Sequence, residues 1–271
     1  MAAITAEMVR ELRERTGVAM MDCKAALTET AGNIEKAVDS LRKKGKTKQD
    51  KLASREAKEG RICVLDNSDR QTSVLVEINC NTDFTAKAPP VTELAMTAAR
   101  ALLADSKSDL NSSPALAARI TAVAQQTGEN VRVGRSLVVA NPAGSTGSYL
   151  YQATAKIGVL MSFGGKATDE LIKDLGGHIA FTNPLGLNRD EVPPEIVARE
   201  RDIAVDQAKA TGKPQNIAEK IAEGKLNAFF AERVLLDQAF YNPAKFKGTI
   251  SQLLKQNQCT LEKYVRVEIG G

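Results

Sequence analysis

A chain of 271 residues has room for two or three domains, or for one domain with additions. It is 43% hydrophobic but only 4% aromatic with no Trp, so its core must be built from Ala, Val, Ile and Leu, and no apolar run is long enough to span a bilayer. The net charge of +4 is local: residues 42–58 hold eight basic and two acidic side chains, which leaves the rest of the chain mildly acidic.

Residues 4–44 read as three short helices. Thr5 is placed to N-cap the first, with Ile4 and Val9 as a hydrophobic staple, and Gly17 stops it. Asp22 is the expected cap of the second helix. Met20 and Met21 then fall in the loop before it, one facing outward and the other closing the small core. Asn33 is placed to cap the third, where Ile34, Ala37, Val38 and Leu41 follow an i, i+3, i+4, i+7 stripe. Arg42, Lys43 and Lys44 sit at its C-terminus, where cations are favoured. A module this small usually docks onto something. The basic stretch that follows lacks an apolar stripe and interleaved aromatics. It reads as a solvated linker and not as a nucleic-acid footprint.

A strand–turn–strand–helix unit comes next: Arg61–Leu65, a turn at residues 66–69, Thr72–Cys80, and a helix over about 91–104. In Thr72–Cys80, Val74, Val76, Ile78 and Cys80 share one face, while Ser73, Glu77 and Asn79 share the other. The strand runs into Asn81-Thr82-Asp83-Phe84, an aromatic ring beside a carboxylate on a short loop closed by Pro89-Pro90. A Phe at a strand end more often tucks back onto its own domain, so only the rest of the chain decides whether Phe84 faces a partner. A helix over 114–126 and a strand over Ser136–Ala140 follow.

The unit then returns at an offset close to 87 residues. Gly147–Thr154 and Lys156–Phe163 form a hairpin, followed by a helix over about 168–181. Pro193-Pro194 starts a helix with Ile196, Ile203 and Ala210 seven apart, and Gly212-Lys213-Pro214 breaks it. A second helix carries Ile217, Ile221, Gly224 and Ala228. Narrow seams joined by a tight turn predict an antiparallel coiled-coil hairpin. A helix over about 249–256 and a strand over Tyr264–Ile269 complete the second unit. The expected class is α+β. The expected division is a three-helix module (1–45), the linker (46–59), a first core subdomain (60–140) and a second (141–271) with the hairpin inserted at about 193–232.

Chemistry-bearing residues are few. Cys23, Cys63, Cys80 and Cys259 form no C-x-x-C pair and suit neither a zinc site nor a disulfide framework, so buried thiols are expected. The single histidine, His178, excludes any site that needs two imidazoles. The N-terminus lacks the basic and apolar regions of a secretory signal, and a cytoplasmic protein is expected.

Several strings together resemble the translation elongation factor Ts family. ELRERTGVAMMDCKAAL at Glu11–Leu27 is similar to its N-terminal signature, and NCNTDF at Asn79–Phe84 to its second. GSY at Gly147–Tyr149, IGVLM at Ile157–Met161, GKPQNIAEKI at Gly212–Ile221 and RVEIG at Arg266–Gly270 fall in the family's order. The resemblance implies a module like a ubiquitin-associated domain, a two-subdomain core with antiparallel sheets and a protruding coiled coil. It also implies an activity: binding elongation factor Tu (EF-Tu) in its GDP-bound and nucleotide-free states, loosening the magnesium and phosphates, and letting GDP leave. Thr82, Asp83, Phe84 and Thr85 are the implied segment that intrudes near the magnesium site. Arg13, Met20, Met21 and Lys24 are implied contacts of the N-terminal module, and Gly128 and Tyr151 of the core. The implied complex is a 1:1 heterodimer or a higher heteromer, without direct nucleic-acid or membrane contact. No metal or cofactor of the chain's own is implied.

The sequence departs from the family at three places. Thr85 stands where members often have Val, which makes the wedge less apolar. Leu150-Tyr151-Gln152-Ala153 stands where many members have a His-Gly pair, so that contact is expected to be either absent or rebuilt by Tyr151. Many members continue past the last strand into a helical arm with a contact of its own, whereas this sequence ends at Gly271. Two other readings compete: a passive adapter that binds partners without accelerating anything, and an enzyme built on Cys23 or Cys80 with His178. The enzyme reading is the weakest, because no base–orienter arrangement is visible around His178.

Overall fold

The computed structural model describes residues 4–44, 52, 54–210, 212 and 214–270, so most of the expected basic linker lies outside the described residues. Three helices come first: α1 (Ala6–Thr16), α2 (Met20–Glu29) and α3 (Ile34–Lys43). The Thr5 hydroxyl accepts from the Met8 N–H at 3.3 Å, and the Asn33 side chain from the Lys36 N–H at 2.9 Å, as the capping rules predict. Gly17, at φ 66°, ends α1 by donating its N–H to the Arg13 carbonyl. Leu12, Cys23, Leu27, Ala37 and Leu41 close the module's core.

The start of α2 differs from expectation. The helix begins at Met20, with Ala19 in the cap position and no side-chain cap, so Asp22 lies inside the first turn. A carboxylate there favours the helix dipole without serving as the cap. Met20 and Met21 therefore project from a helix and not from a loop. Both are exposed, at 47% and 78%, because Val18 and Cys23 already fill that side of the core.

Two antiparallel sheets form the body. The first has β1 (Glu59–Asp66), β2 (Thr72–Cys80) and β3 (Arg132–Ala140), with β2 in the middle. The second has β4 (Ser145–Leu150), β5 (Ile157–Gly164) and β6 (Thr260–Glu268), with β5 in the middle. The outer strands β3 and β6 are each longer at the N-terminal side than apolar alternation predicts, because pairing to the middle strand extends them through polar residues such as Arg132 and Lys263.

A one-turn helix, α4 (Asp83–Lys87), follows β2 and precedes α5 (Pro89–Ala104). α5 lays Val91, Leu94, Ala95, Ala98 and Leu102 over Val74, Val76, Ile78 and Cys80 of β2. α6 (Pro114–Thr127) adds Leu116 and Val123 to the same core. In the second unit, α7 (Asp169–Thr182) lays Leu171, Leu175 and Ile179 over Val159, Met161 and Phe163 of β5. The opposite sheet faces meet each other: Ile62, Leu75 and Val139 pack on Leu160 and Val267. Each fully buried Leu or Ile contributes about 1.5–3 kcal/mol, so a middle strand buried on both faces is the most constrained element of its sheet.

The helical hairpin is α8 (Pro194–Lys209) and α9 (Gln215–Arg233). Its seam is not the predicted one. Ala204, Ala208, Ala218 and Ala222 are buried between the helices, with Ile221 partly buried beside them. Ile203 and Ile217 are 39% and 42% exposed, and Gly224 and Ala228 are also exposed. Small alanines let two backbones approach closely, and that excludes the larger isoleucines from the seam. Ile196 packs at the hairpin's base with Val192, Phe230 and Val234. A short helix, α10 (Ile250–Gln256), starts at a Thr249–Gln252 capping box before β6. Among the described residues, no helix is long and apolar enough to cross a membrane.

Candidate functional site

The segment after β2 is helical where a loop was expected. Thr82 is the N-cap of α4: its hydroxyl accepts from the Thr85 N–H at 3.3 Å. The turn ends at Ala88, whose extended backbone (φ −66°, ψ 143°) suits a residue before proline, and Pro89 then opens α5. Thr85 and Ala86 face inward and are buried. Arg61 donates to the Ala86 carbonyl at 3.2 Å, and the Cys80 thiol to the Thr82 carbonyl at 3.2 Å. Phe84 lies on the opposite side of this pinned turn and is 84% exposed. Thr85 thus supports the turn from beneath and adds nothing to its outer face. Asp83 pairs with Lys87 at 2.8 Å, and the hydrogen bond from Lys87 holds the Asp83 carboxyl below the usual carboxylate range.

A second segment fixes this turn from the side. Gly128, at φ 69°, caps α6 in the left-handed region, and its carbonyl accepts from Arg55 at 3.4 Å. The next residue, Glu129, turns its carboxylate onto the β2–α4 junction. It accepts from the Asn81 N–H at 2.9 Å, the Thr82 N–H at 3.0 Å and the Thr82 hydroxyl at 2.6 Å. Burial raises the Glu129 pKa, but hydrogen bonds from Thr82, Thr85 and Asn81 outweigh that and leave it lowered. Asn130 donates its N–H to the Asn81 side-chain oxygen at 2.8 Å and its amide to the Arg55 carbonyl at 2.8 Å. The Asn81 amide donates to the Glu56 carbonyl at 2.6 Å. The end of the predicted linker is therefore hydrogen-bonded to the junction and not merely solvated.

Glu129 and Asn130 escaped the sequence reading. One signal was available: a glutamate just past a helix C-terminus opposes the helix dipole and needs donors from elsewhere.

The remaining predicted contacts lie apart in the sequence. Arg13, Met20, Met21 and Lys24 are all exposed on α1 and α2. Tyr151 sits in the β4–β5 connection, its ring edge-on to Phe181 at 5.2 Å between centroids. Phe181 is 62% exposed and Tyr241 51%, and neither was singled out from sequence.

His178 is buried against the Phe240 and Tyr241 rings. Its Nδ1 accepts from the Tyr241 N–H at 3.3 Å, so Nε2 carries the proton and donates to Gln238 at 2.8 Å. Burial lowers its pKa, although the Gln238 bond opposes that. Both ring nitrogens are thus engaged within the second unit. The Cys23 thiol donates to the Val18 carbonyl, while burial pushes Cys80 up to about 11. A protonated thiol is a poor nucleophile, so these partners do not make a Cys–His pair.

The sequence profile described as "Elongation factor TS" matches residues 81–271. The Elongation factor Ts of Methylococcus capsulatus is 40% identical over 277 residues, covering 99% of this chain and 92% of the relative. That of Photorhabdus laumondii is 41% identical, covering 100% and 93%. That of Hydrogenovibrio crunogenus is 38% identical, covering 99% and 92%. These relatives also span the N-terminal helices that the profile leaves out.

Proposed function

Because the chain belongs to the elongation factor Ts family, we propose that it binds EF-Tu carrying GDP and speeds the release of that GDP, so that GTP can bind in its place. A role in translation elongation comes with the family; the route of exchange is our reading. A G protein holds GDP through magnesium and a phosphate-cradling loop. An exchange factor needs no nucleophile or base to undo this. It needs a surface that fits the nucleotide-free partner better than the GDP-bound one, and the coupling is reciprocal.

The observation that carries the reading is Phe84: a ring 84% exposed on a turn whose inner residues are buried. Its burial in a partner pocket supplies ~2–3 kcal/mol. Asp83 competes for the hydrogen bonds that position the magnesium shell. Its exposed pairing with Lys87 is easily broken for that purpose. Thr82 and Thr85 hold the turn that presents both side chains. Arg13, Met20, Met21 and Lys24 make a second contact, in which the two exposed methionines adapt to the partner surface. Gly128 and Tyr151 add core contacts. The chain works in the cytoplasm as a protein-binding catalyst with no cofactor of its own, in a 1:1 heterodimer or a higher heteromer.

The test is release of a fluorescent GDP from EF-Tu with this chain present in substoichiometric amount. Many turnovers of release per molecule are expected. Complex formation without faster release would leave the passive adapter in its place.

A further inference from the structure

We infer that Glu129 is a positioning residue for nucleotide exchange: its carboxylate holds the Asn81–Thr82 backbone and so fixes how Phe84 is presented. The inference rests on the wedge reading above.

α4 is five residues long, far too short to persist by its own hydrogen bonds. Something outside it must hold its first turn. Inward packing of Thr85 and Ala86 fixes the inner side, but the entry of the chain into the turn is fixed by Glu129. One carboxylate there accepts from two backbone N–H groups and one hydroxyl, at 2.6–3.0 Å. Hydrogen bonds to an ionised acceptor are roughly twice as strong as neutral ones.

Glu129 does not serve its own helix. It lies just past the C-cap of α6, where a negative charge is unfavourable. Its position makes sense only through what it binds at the β2–α4 junction. Asn130 and Asn81 extend the same latch to the carbonyls of Arg55 and Glu56, so three chain segments converge behind Phe84. Without the carboxylate, two backbone donors lose their partner and the turn frays. Phe84 would then have to be ordered during binding, and that cost appears in the exchange rate.

The experiment compares Glu129→Ala, Glu129→Gln, Phe84→Ala and the Glu129→Ala/Phe84→Ala double variant in the substoichiometric GDP-release assay, at equal concentrations of folded protein. Glu129→Ala is expected to slow exchange about tenfold, the factor that 1.4 kcal/mol produces. Glu129→Gln is expected to recover most of that loss, because its amide oxygen can take both backbone N–H groups while its NH2 faces the Thr82 hydroxyl. The double variant is expected to be no slower than Phe84→Ala alone, since Glu129 acts through Phe84. Amide hydrogen exchange at Asn81 and Thr82 is expected to quicken in Glu129→Ala.

Wild-type exchange by Glu129→Ala, or losses that multiply in the double variant, would overturn the inference while leaving the wedge intact. Unchanged exchange by Phe84→Ala would instead remove the wedge reading, and this inference with it. Where Glu129→Ala does not fold, Glu129→Asp, one methylene too short to span the same donors, replaces it with the same expectation.

Discussion

In the first α+β unit the central strand ends at Cys80 and its covering helix starts at Pro89; in the second they are Gly164 and Asp169. The two sheets share strand order, antiparallel pairing and an apolar helix over the middle strand. The junctions differ. The second is a tight turn through Gly165, at φ 97°, closed by the Thr168 cap of α7 and tied by the neutral hydroxyl of Ser145, which donates to the Gly165 carbonyl and accepts from the Ala167 N–H. The first is longer. It holds a capped turn, an exposed Phe and an ionised carboxylate. A chain can therefore cross this sheet–helix corner without the extra helical turn, the exposed Phe or the carboxylate. Part of what the first junction has in excess, its exposed Phe, adds nothing to the core and forgoes about 2–3 kcal/mol of burial. That excess is where a partner's requirements are to be sought.

Substitutions in the two units should have opposite outcomes. Leu175→Ala, in the fully buried core under α7, is expected to cost about 2–5 kcal/mol of unfolding free energy in denaturant titration. The fraction that remains folded should exchange nucleotide at the wild-type rate. A loss of exchange per folded molecule would mean that the core under α7 does more than support the fold.

The two threonine caps give a smaller and sharper contrast. Thr82 and Thr168 each accept from the backbone three residues on, at 3.3 and 3.2 Å. Removing either by Thr→Ala should cost about 1 kcal/mol locally, read as roughly fivefold faster hydrogen exchange at the Thr85 or Leu171 amide. Only Thr82→Ala should also slow GDP release. Equal effects of the two variants on release would erase the distinction between the junctions.

The smallest effect is in pH. Glu129 has a folded-state pKa below its ordinary value. Its stabilising contribution is therefore complete above the unfolded pKa of about 4.3 and is lost as pH falls through the lower folded value. A 13C titration of the Glu129 carboxyl should give a midpoint below that of a free glutamate, with the Asn81 and Thr82 amide signals moving alongside it. The Ala167 amide, tied to a serine, should not follow. A midpoint at or above the ordinary value would mean that burial outweighs the hydrogen bonds.

Much of the framework was legible because burial imposes a period. The alternation in Thr72–Cys80 located the central strand, and Thr5, Gly17 and Asn33 marked helix ends by chemistry that acts locally. Three features were not legible. The start of α2 lacks a side-chain cap, so Asp22 drew attention three residues past the Ala19 cap position. The hairpin seam runs along alanines, whose weak hydrophobic signal was hidden by Ile203 and Ile217 one position away. Glu129 reaches the junction across 47 and 48 residues of sequence, and no periodicity records a contact of that range. Phe84 was identifiable as a candidate from its neighbours, but its exposure followed only from the turn that Thr85 and Ala86 anchor beneath it.

If Phe84 works on a partner and not on its own domain, GDP release by Phe84→Ala shows it. The variant should match wild type in circular dichroism and melting temperature, because a ring this exposed contributes little to the core. At equal substoichiometric concentration it should release fluorescent GDP from EF-Tu at least about tenfold more slowly, the loss that 1.4 kcal/mol of transition-state stabilisation produces. Wild-type release would contradict the account. So would a loss of about 3–5 kcal/mol in folding stability, which would identify Phe84 as a core residue.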